Sequence, residues 1–261
     1  MMMQNETSAE AARNPHGALS PGGRMSAPFI GPAVDQATLE AALDRDGFAI
    51  LPRLLDDDAC DRLTAMYDDG GGTAFRSTVV MDRHGYGRGE YRYFARPLPG
   101  IVQSLRETLY PPLAGVARMW AARSGTPRNW PADHAGLAAL CAAEGQHRRT
   151  PLLLRYGPGD YNRLHQDVYG ELVFPLQLAV LLDEPGRDFT GGEFVLVEGR
   201  ARLQSRAAVA PLRRGDGVIF PVRERPVASA RGWSKAVMRH GVSEVRSGRR
   251  HTLGVIFHDA R

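Results

Sequence analysis

Beyond residue 150 the chain is built from short apolar runs: LLLRYG, FPLQLAVLLD, GEFVLVE, ARLQSR, DGVIFPV, KAVMRHGVSEV and RHTLGVIFH. Runs of this length, rich in Val, Leu, Ile and Phe and punctuated by Gly, Pro, Asp and Ser, specify strands. The first half has a different texture. Ala37, Leu39, Ala42 and Leu43 fit a short amphipathic helix, and GFAILPRLL fits a strand ending at a proline turn. In DDDACDRLTAMYDD, Asp56 to Asp58 suit a helix N-terminus, where the dipole favours negative charge, and Cys60, Leu63, Ala65, Met66 and Tyr67 supply its apolar side. FRSTVVMDRHGYGRGEYRYF predicts two strands around a glycine-rich loop, and IVQSLRETLYPPLAGVARMWAARSG a helix broken at Pro111 and Pro112. A further helix is expected over His134 to Glu144. Helices first and many strands later imply an α+β protein whose second half is a β-sandwich or jelly roll.

At 261 residues the chain suits one catalytic domain, expected over 35–261 with its β-rich core at about 150–258. Residues 1–34, rich in Ala, Gly, Pro, Ser and Asn without apolar periodicity, are expected to form a poorly ordered tail. That opening has neither the basic start nor the apolar core of a secretory signal, and no apolar run could span a bilayer, so the expected compartment is the cytoplasm. Cys60 and Cys141 are too few for a disulfide framework or a zinc ribbon. The net charge of +4 and pI near 9.3 hint at an acidic partner. The basic residues are dispersed, however, and Lys235 is the sole lysine, so nucleic-acid binding ranks below a protein or small-molecule substrate.

His165 and Asp167 lie two positions apart, which puts both on one side of a strand or its end, where they can share a metal. Two imidazoles and a carboxylate on one octahedral face leave three positions open, the arrangement of non-haem Fe(II) oxygenases. The second imidazole is first sought at His240, in a strand near the other end of the β-rich half, with His251 and His258, the latter expected at a frayed end of its strand, as rivals. Ten residues after His240 comes Arg250, on one strand face with Thr252, Gly254 and Ile256. A planar guanidinium there is suited to the far carboxylate of a dicarboxylic keto acid. Gln177 and Arg163 flank the metal strand and its neighbour. The loop around residues 82–92, with its arginines and tyrosines, either covers the pocket or forms a solvated hairpin.

The ordered set RYGPGDYNRLHQD, DFTGGEFVLVE, GDGVIF and RHGVSEVRSGRRHTLGVIF resembles the Fe(II)/2-oxoglutarate dioxygenase superfamily, in particular its prolyl-4-hydroxylase-like bacterial branch. The resemblance covers about residues 150–258. It implies a double-stranded β-helix with iron on His165, Asp167 and His240, and Arg250 on the C5 carboxylate of 2-oxoglutarate. Arg249 stands beside it as the alternative anchor. Tyr156 resembles the tyrosine that hydrogen-bonds the same co-substrate. Fe(II), 2-oxoglutarate and O2 are the implied cofactors, with ascorbate as an optional reductant. Gly191 and Gly192 are expected to serve backbone geometry. Three function classes follow: a dioxygenase hydroxylating a protein or small molecule with release of succinate and CO2, an oxidative nucleic-acid demethylase, and a cupin-like barrel that binds metal without turnover.

Overall fold

A computed structural model describes residues 34–69 and 72–261; the tail expected at the N-terminus lies, but for Val34, outside the described residues. In chain order come α1 (Gln36–Asp46), β1 (Ala49–Leu51), α2 (Asp57–Asp68), β2 (Phe75–Val80), β3 (Gly87–Arg88), β4 (Glu90–Phe94), α3 (Gly100–Arg123) and α4 (His134–Ala143). Eleven further strands follow: β5 (Leu152–Tyr156), β6 (Tyr161–His165), β7 (Leu176–Leu181), β8 (Phe189–Gly191), β9 (Phe194–Arg200), β10 (Arg206–Ala210), β11 (Gly217–Pro221), β12 (Glu224–Ser229), β13 (Gly232–Val242), β14 (Val245–Gly248) and β15 (Arg250–Ile256). The helix starts are legible in residue chemistry. Asp35 and Asp56 cap α1 and α2 by accepting from the Thr38 and Ala59 amides, and Asp57 and Asp58 fill the first turn of α2.

Two antiparallel sheets face each other. The major sheet runs β1-β11-β7-β15-β5-β4-β2, and the minor sheet runs β10-β9-β13-β6-β3, with β12 added on β13. This is the jelly roll among the two architectures the strand pattern called for, and the double-stranded β-helix that the resemblance implies. The major sheet is covered on both faces. Leu153, Leu178, Val180, Leu253 and Val255 pack against the helices with Leu39, Leu63, Leu109 and Trp120, whereas Tyr156, Leu181, Val218 and Phe220 turn towards Phe194, Leu196 and Met238 of the minor sheet. Double coverage explains why β7 is buried at every position and reads as a continuous apolar run.

Two expectations are corrected. The helix at Pro111 and Pro112 does not break, for α3 runs unbroken over 24 residues. Both prolines sit on its outward side with Glu107 and Thr108, so the carbonyls that lose their helical donors can be met by water while Leu109, Tyr110 and Leu113 stay buried. ARLQSR is mostly a turn, with Arg202 at φ 64, and the strand starts at Arg206, where RAAVA pairs with β9. Among the described residues no helix is long and apolar enough to cross a membrane.

Candidate metal centre

β6 and β13 are neighbours in the minor sheet, and their register pairs His165 with His240. The strands approach so closely after His240 that a Cβ at Gly241 would stand 2.6 Å from the Asn162 carbonyl oxygen, which accounts for the glycine in the HG pair. Asp167 lies just past the end of β6 and turns back onto both imidazoles. Its Oδ1 is 3.5 Å from His165 Nε2 and its Oδ2 is 3.2 Å from His240 Nε2, and the two rings are 4.2 Å apart. One ligand atom from each residue lies within 4.8 Å of the others, close enough for a single ion to reach all three. His251 and His258 stay outside this cluster. His251 faces the other side of β15 and bonds Asp183 through Nδ1 at 3.0 Å. His258 was expected at a frayed end, but it is fully buried and accepts the Phe174 amide, because the last residues tuck under α3 and α4.

The surroundings prepare the three side chains for a cation. His165 Nδ1 donates to the Arg163 carbonyl at 2.7 Å, which leaves the Nε2 lone pair free. Burial pushes the Asp167 carboxyl up, but the bonds and charge of His165 and His240 outweigh it and hold the group well below the ordinary carboxylate range. Tyr169 adds a hydroxyl donor to Asp167 Oδ1 at 3.2 Å, and Tyr93 in turn donates to Tyr169 at 3.2 Å. Phe220 and Phe194 flank the buried His240 ring. Tyr169 was not singled out in the sequence; its place two residues beyond Asp167 was the available signal.

A cavity of about 490 Å³ opens from this cluster between the two sheets. Gln177, Thr252 and Tyr156 line its major-sheet side. Arg250 lies behind them, 1% exposed, with its side chain on the Thr252 hydroxyl and no carboxylate within ion-pair distance among the described residues. Its Nε and the Gln177 Nε2 are buried without partners. Gly192, at φ 65, leaves room for it: a Cβ there would stand 2.9 Å from Arg250 Cδ. Arg249 points the other way, 60% exposed and paired with Asp68 at 3.2 Å. Tyr156 is opposite Arg250 in the β5–β15 register, and its hydroxyl accepts from Asn162 at 3.3 Å. A facial pair of imidazoles with a carboxylate, beside a buried cation that lacks an anion, fits an iron ion and a dicarboxylate co-substrate. The glycine-rich loop is no free hairpin: Met81, Gly85, Tyr86, Tyr91 and Tyr93 all face the cavity.

This fold, with this cluster lining the cavity between its two sheets, is that of the Fe(II)/2-oxoglutarate oxygenases, and the chain is an oxidoreductase of that class, using Fe(II), 2-oxoglutarate and O2. More narrowly, it belongs to the Oxygenase-NA family, described as an oxygenase catalysing oxidative methylation of damaged DNA, whose model matches residues 89–260. Two uncharacterized proteins of Mycobacterium tuberculosis, Rv2227 of strain H37Rv and MT2286 of strain CDC 1551, are each 50% identical over 167 residues, covering 64% of this chain and 72% of theirs. Among solved structures, the non-heme alpha ketoglutarate dependent epimerase SnoN from nogalamycin biosynthesis shares the fold at TM-score 0.51 and 16% identity, over 84% of this chain and 81% of its own. A Pseudomonas putida prolyl-4-hydroxylase aligns at TM-score 0.47 and 15% identity, over 87% of this chain and 99% of its own. Membership of an oxygenase family sets aside the inert cupin-like barrel.

Proposed function

We propose that residues 35–261 form a dioxygenase domain in which His165, Asp167 and His240 hold Fe(II) while Arg250 and Tyr156 anchor 2-oxoglutarate. The observation that carries this reading is the buried Arg250 guanidinium, which has no carboxylate at ion-pair distance among the described residues and lies behind the cavity that opens from a three-residue ligand cluster. Bound Fe(II), with 2-oxoglutarate and O2, supplies the oxidising power that puts oxygen into a substrate C–H bond, with succinate and CO2 as co-products.

The protein's share of the chemistry is positional. The Arg163 carbonyl fixes the His165 tautomer, and the Tyr169 hydroxyl orients the Asp167 carboxylate. Arg250 offers a planar fork to the far carboxylate of the co-substrate, and Arg249, turned to solvent, does not. Burial pushes the Tyr156 phenol up to about 12, so it stays a neutral donor beside that guanidinium. Phe194 and Phe220 keep water from the His240 side. Both cysteines are free and buried, which suits a reducing cytoplasm.

For the prime substrate, the description of the matching family supports a nucleic-acid base, so oxidative demethylation stands beside the protein or small-molecule hydroxylation expected from sequence. Anaerobic addition of Fe(II) and then 2-oxoglutarate is expected to raise a weak visible charge-transfer band. A wild-type protein that never develops the band would end this reading.

A further inference from the structure

Asp167 stands outside the sheet. β6 ends at His165 and β7 begins at Leu176, and among the described residues the backbone of 166–168 makes no hydrogen bond to other backbone. His165 and His240 are set by ladder register, but a carboxylate in an unpaired stretch needs another fixture to come to rest on both imidazoles. Tyr169 and Gln146 hold the stretch from its far side, through the Tyr169 hydroxyl on Asp167 and the Gln146 amide on the Tyr169 and Leu172 carbonyls. Gln166 holds it from the near side.

Gln166 lies at a seam in the minor sheet. Two strands share one edge of β13: β12 pairs with Gly232 to Val237, and β6 takes over at His240, while β9 runs past both on the opposite edge. Between the two, at Met238 and Arg239, that edge has no paired strand. The Met238 amide donates to the Arg223 carbonyl at 2.8 Å, just before β12. Gln166 Nε2 closes the gap by donating to the Met238 carbonyl at 2.8 Å and to the Arg223 carbonyl at 3.0 Å. One side-chain amide thus ties the residue between His165 and Asp167 to the strand that carries His240, two residues before it. Although Gln166 borders the cavity, both hydrogens of its amide nitrogen are spent on these carbonyls, which separates it from side chains that meet a ligand.

The bonds themselves add little to the fold. Gln166 is half-buried, so water can replace its amide on both carbonyls. Water does not replace the direction the amide gives the chain. A turn released at Gln166 carries the Asp167 carboxylate off a site whose ligand atoms lie within 4.8 Å of one another, and a metal–ligand bond of about 2 Å tolerates little drift.

We propose that Gln166 is a positioning residue of the metal centre: by bridging the Met238 and Arg223 carbonyls it fixes the turn that presents Asp167 to the same ion as His165 and His240. The proposal rests on the reading of those three residues as metal ligands, and its test separates the two. Mn(II) is titrated by calorimetry into the metal-free full chain as wild type, as Gln166→Met, which keeps the length of the side chain but has no donor, and as Gln166→Glu, which turns an acceptor towards two carbonyls.

Gln166→Met is expected to bind Mn(II) about 10-fold more weakly than wild type, while its metal-free urea midpoint moves by less than about 0.5 M. Gln166→Glu should lose at least as much, although a negative charge added near a cation would by itself tighten binding. Co(II) gives the spectroscopic signature: the visible ligand-field bands of the wild-type complex should shift in both variants, which a loss of stability does not produce in the folded protein. Mn(II) affinity within about 2-fold of wild type in Gln166→Met, tighter binding in Gln166→Glu, unchanged Co(II) bands, or a metal-free midpoint lowered by more than about 1 M would overturn the positioning role. Normal Mn(II) binding by wild type beside any of these outcomes defeats that role alone. A wild type that takes no Mn(II) defeats the metal reading and the positioning role with it.

Discussion

Two arginines are buried to almost the same degree in this protein, and the fold treats them in opposite ways. Arg106, on α3, is fully buried and reaches Asp259 at 2.8 Å and the Phe257 carbonyl, and Asp259 also takes Arg149. Arg250, on β15, is 1% exposed and has a hydroxyl for company but no carboxylate at ion-pair distance among the described residues. Burial pulls the pKa of both guanidiniums down. A buried cation is costly unless an anion meets it. The first has its anion inside the fold and ties the C-terminus to α3. In the proposed reading the second takes its anion from outside, which would separate a binding site from a structural tie.

The comparison breaks most easily at Asp259. Asp259→Ala leaves Arg106 buried without its carboxylate and should cost about 3–5 kcal/mol of unfolding free energy in urea titrations. A loss below about 1 kcal/mol would show that the network is not the tie described. Arg250→Met should do the reverse. Stability is expected to stay within about 1 kcal/mol of wild type, because no ion pair is broken, whereas binding of 2-oxoglutarate should weaken by about 2–5 kcal/mol, with Arg250→Lys recovering part of it. Thermal melting with and without 2-oxoglutarate reads both effects; a co-substrate shift that survives in Arg250→Met would move the anchor elsewhere.

Acid sharpens the contrast on the structural side. Burial lowers His134 and His258, next to the Arg106 network, to about 4 from the ordinary 6.5. Between those values the unfolded chain binds protons that the folded one refuses, so stability is complete above about pH 6.5 and is lost as pH falls towards about 4. The loss is at most about 3 kcal/mol per histidine. Urea midpoints that stay flat from pH 7 to pH 4 would contradict this. The smallest expected effect is at the site. Tyr169→Phe removes one donor from Asp167 and should weaken Mn(II) or Fe(II) binding by about 10-fold, measured by calorimetry, with the fold intact.

Where the sequence-based expectations succeeded, a local period carried the information. Alternation along β15 separates Arg250 from His251 without knowledge of what lies opposite, and the two-residue spacing of His165 and Asp167 directs both to one end of β6. They failed where the outcome depended on partners distant in sequence. Pro111 and Pro112 sit inside an intact helix because the buried side of α3 is held by packing, and propensity has no view of that. His258 looked frayed because nothing local reveals that the chain end is pinned by Arg106, Arg149 and Gln146. Tyr169 and Tyr93 become neighbours only when β4 reaches the edge of β5.

By itself, then, the sequence determined the class of fold, the order of helices and strands, and the residue types able to hold a metal and a dicarboxylate, since periodicity and side-chain chemistry are properties of a segment. Only the tertiary structure decided that residue 240 rather than 251 or 258 meets the first pair, that Arg250 has no carboxylate at ion-pair distance among the described residues, and that the loop around residues 82–92 lines the cavity. Those are distances between segments about 75 positions apart, as in His240↔His165 and Gly87↔Asn162, and they are set by sheet register and burial, which no single segment contains.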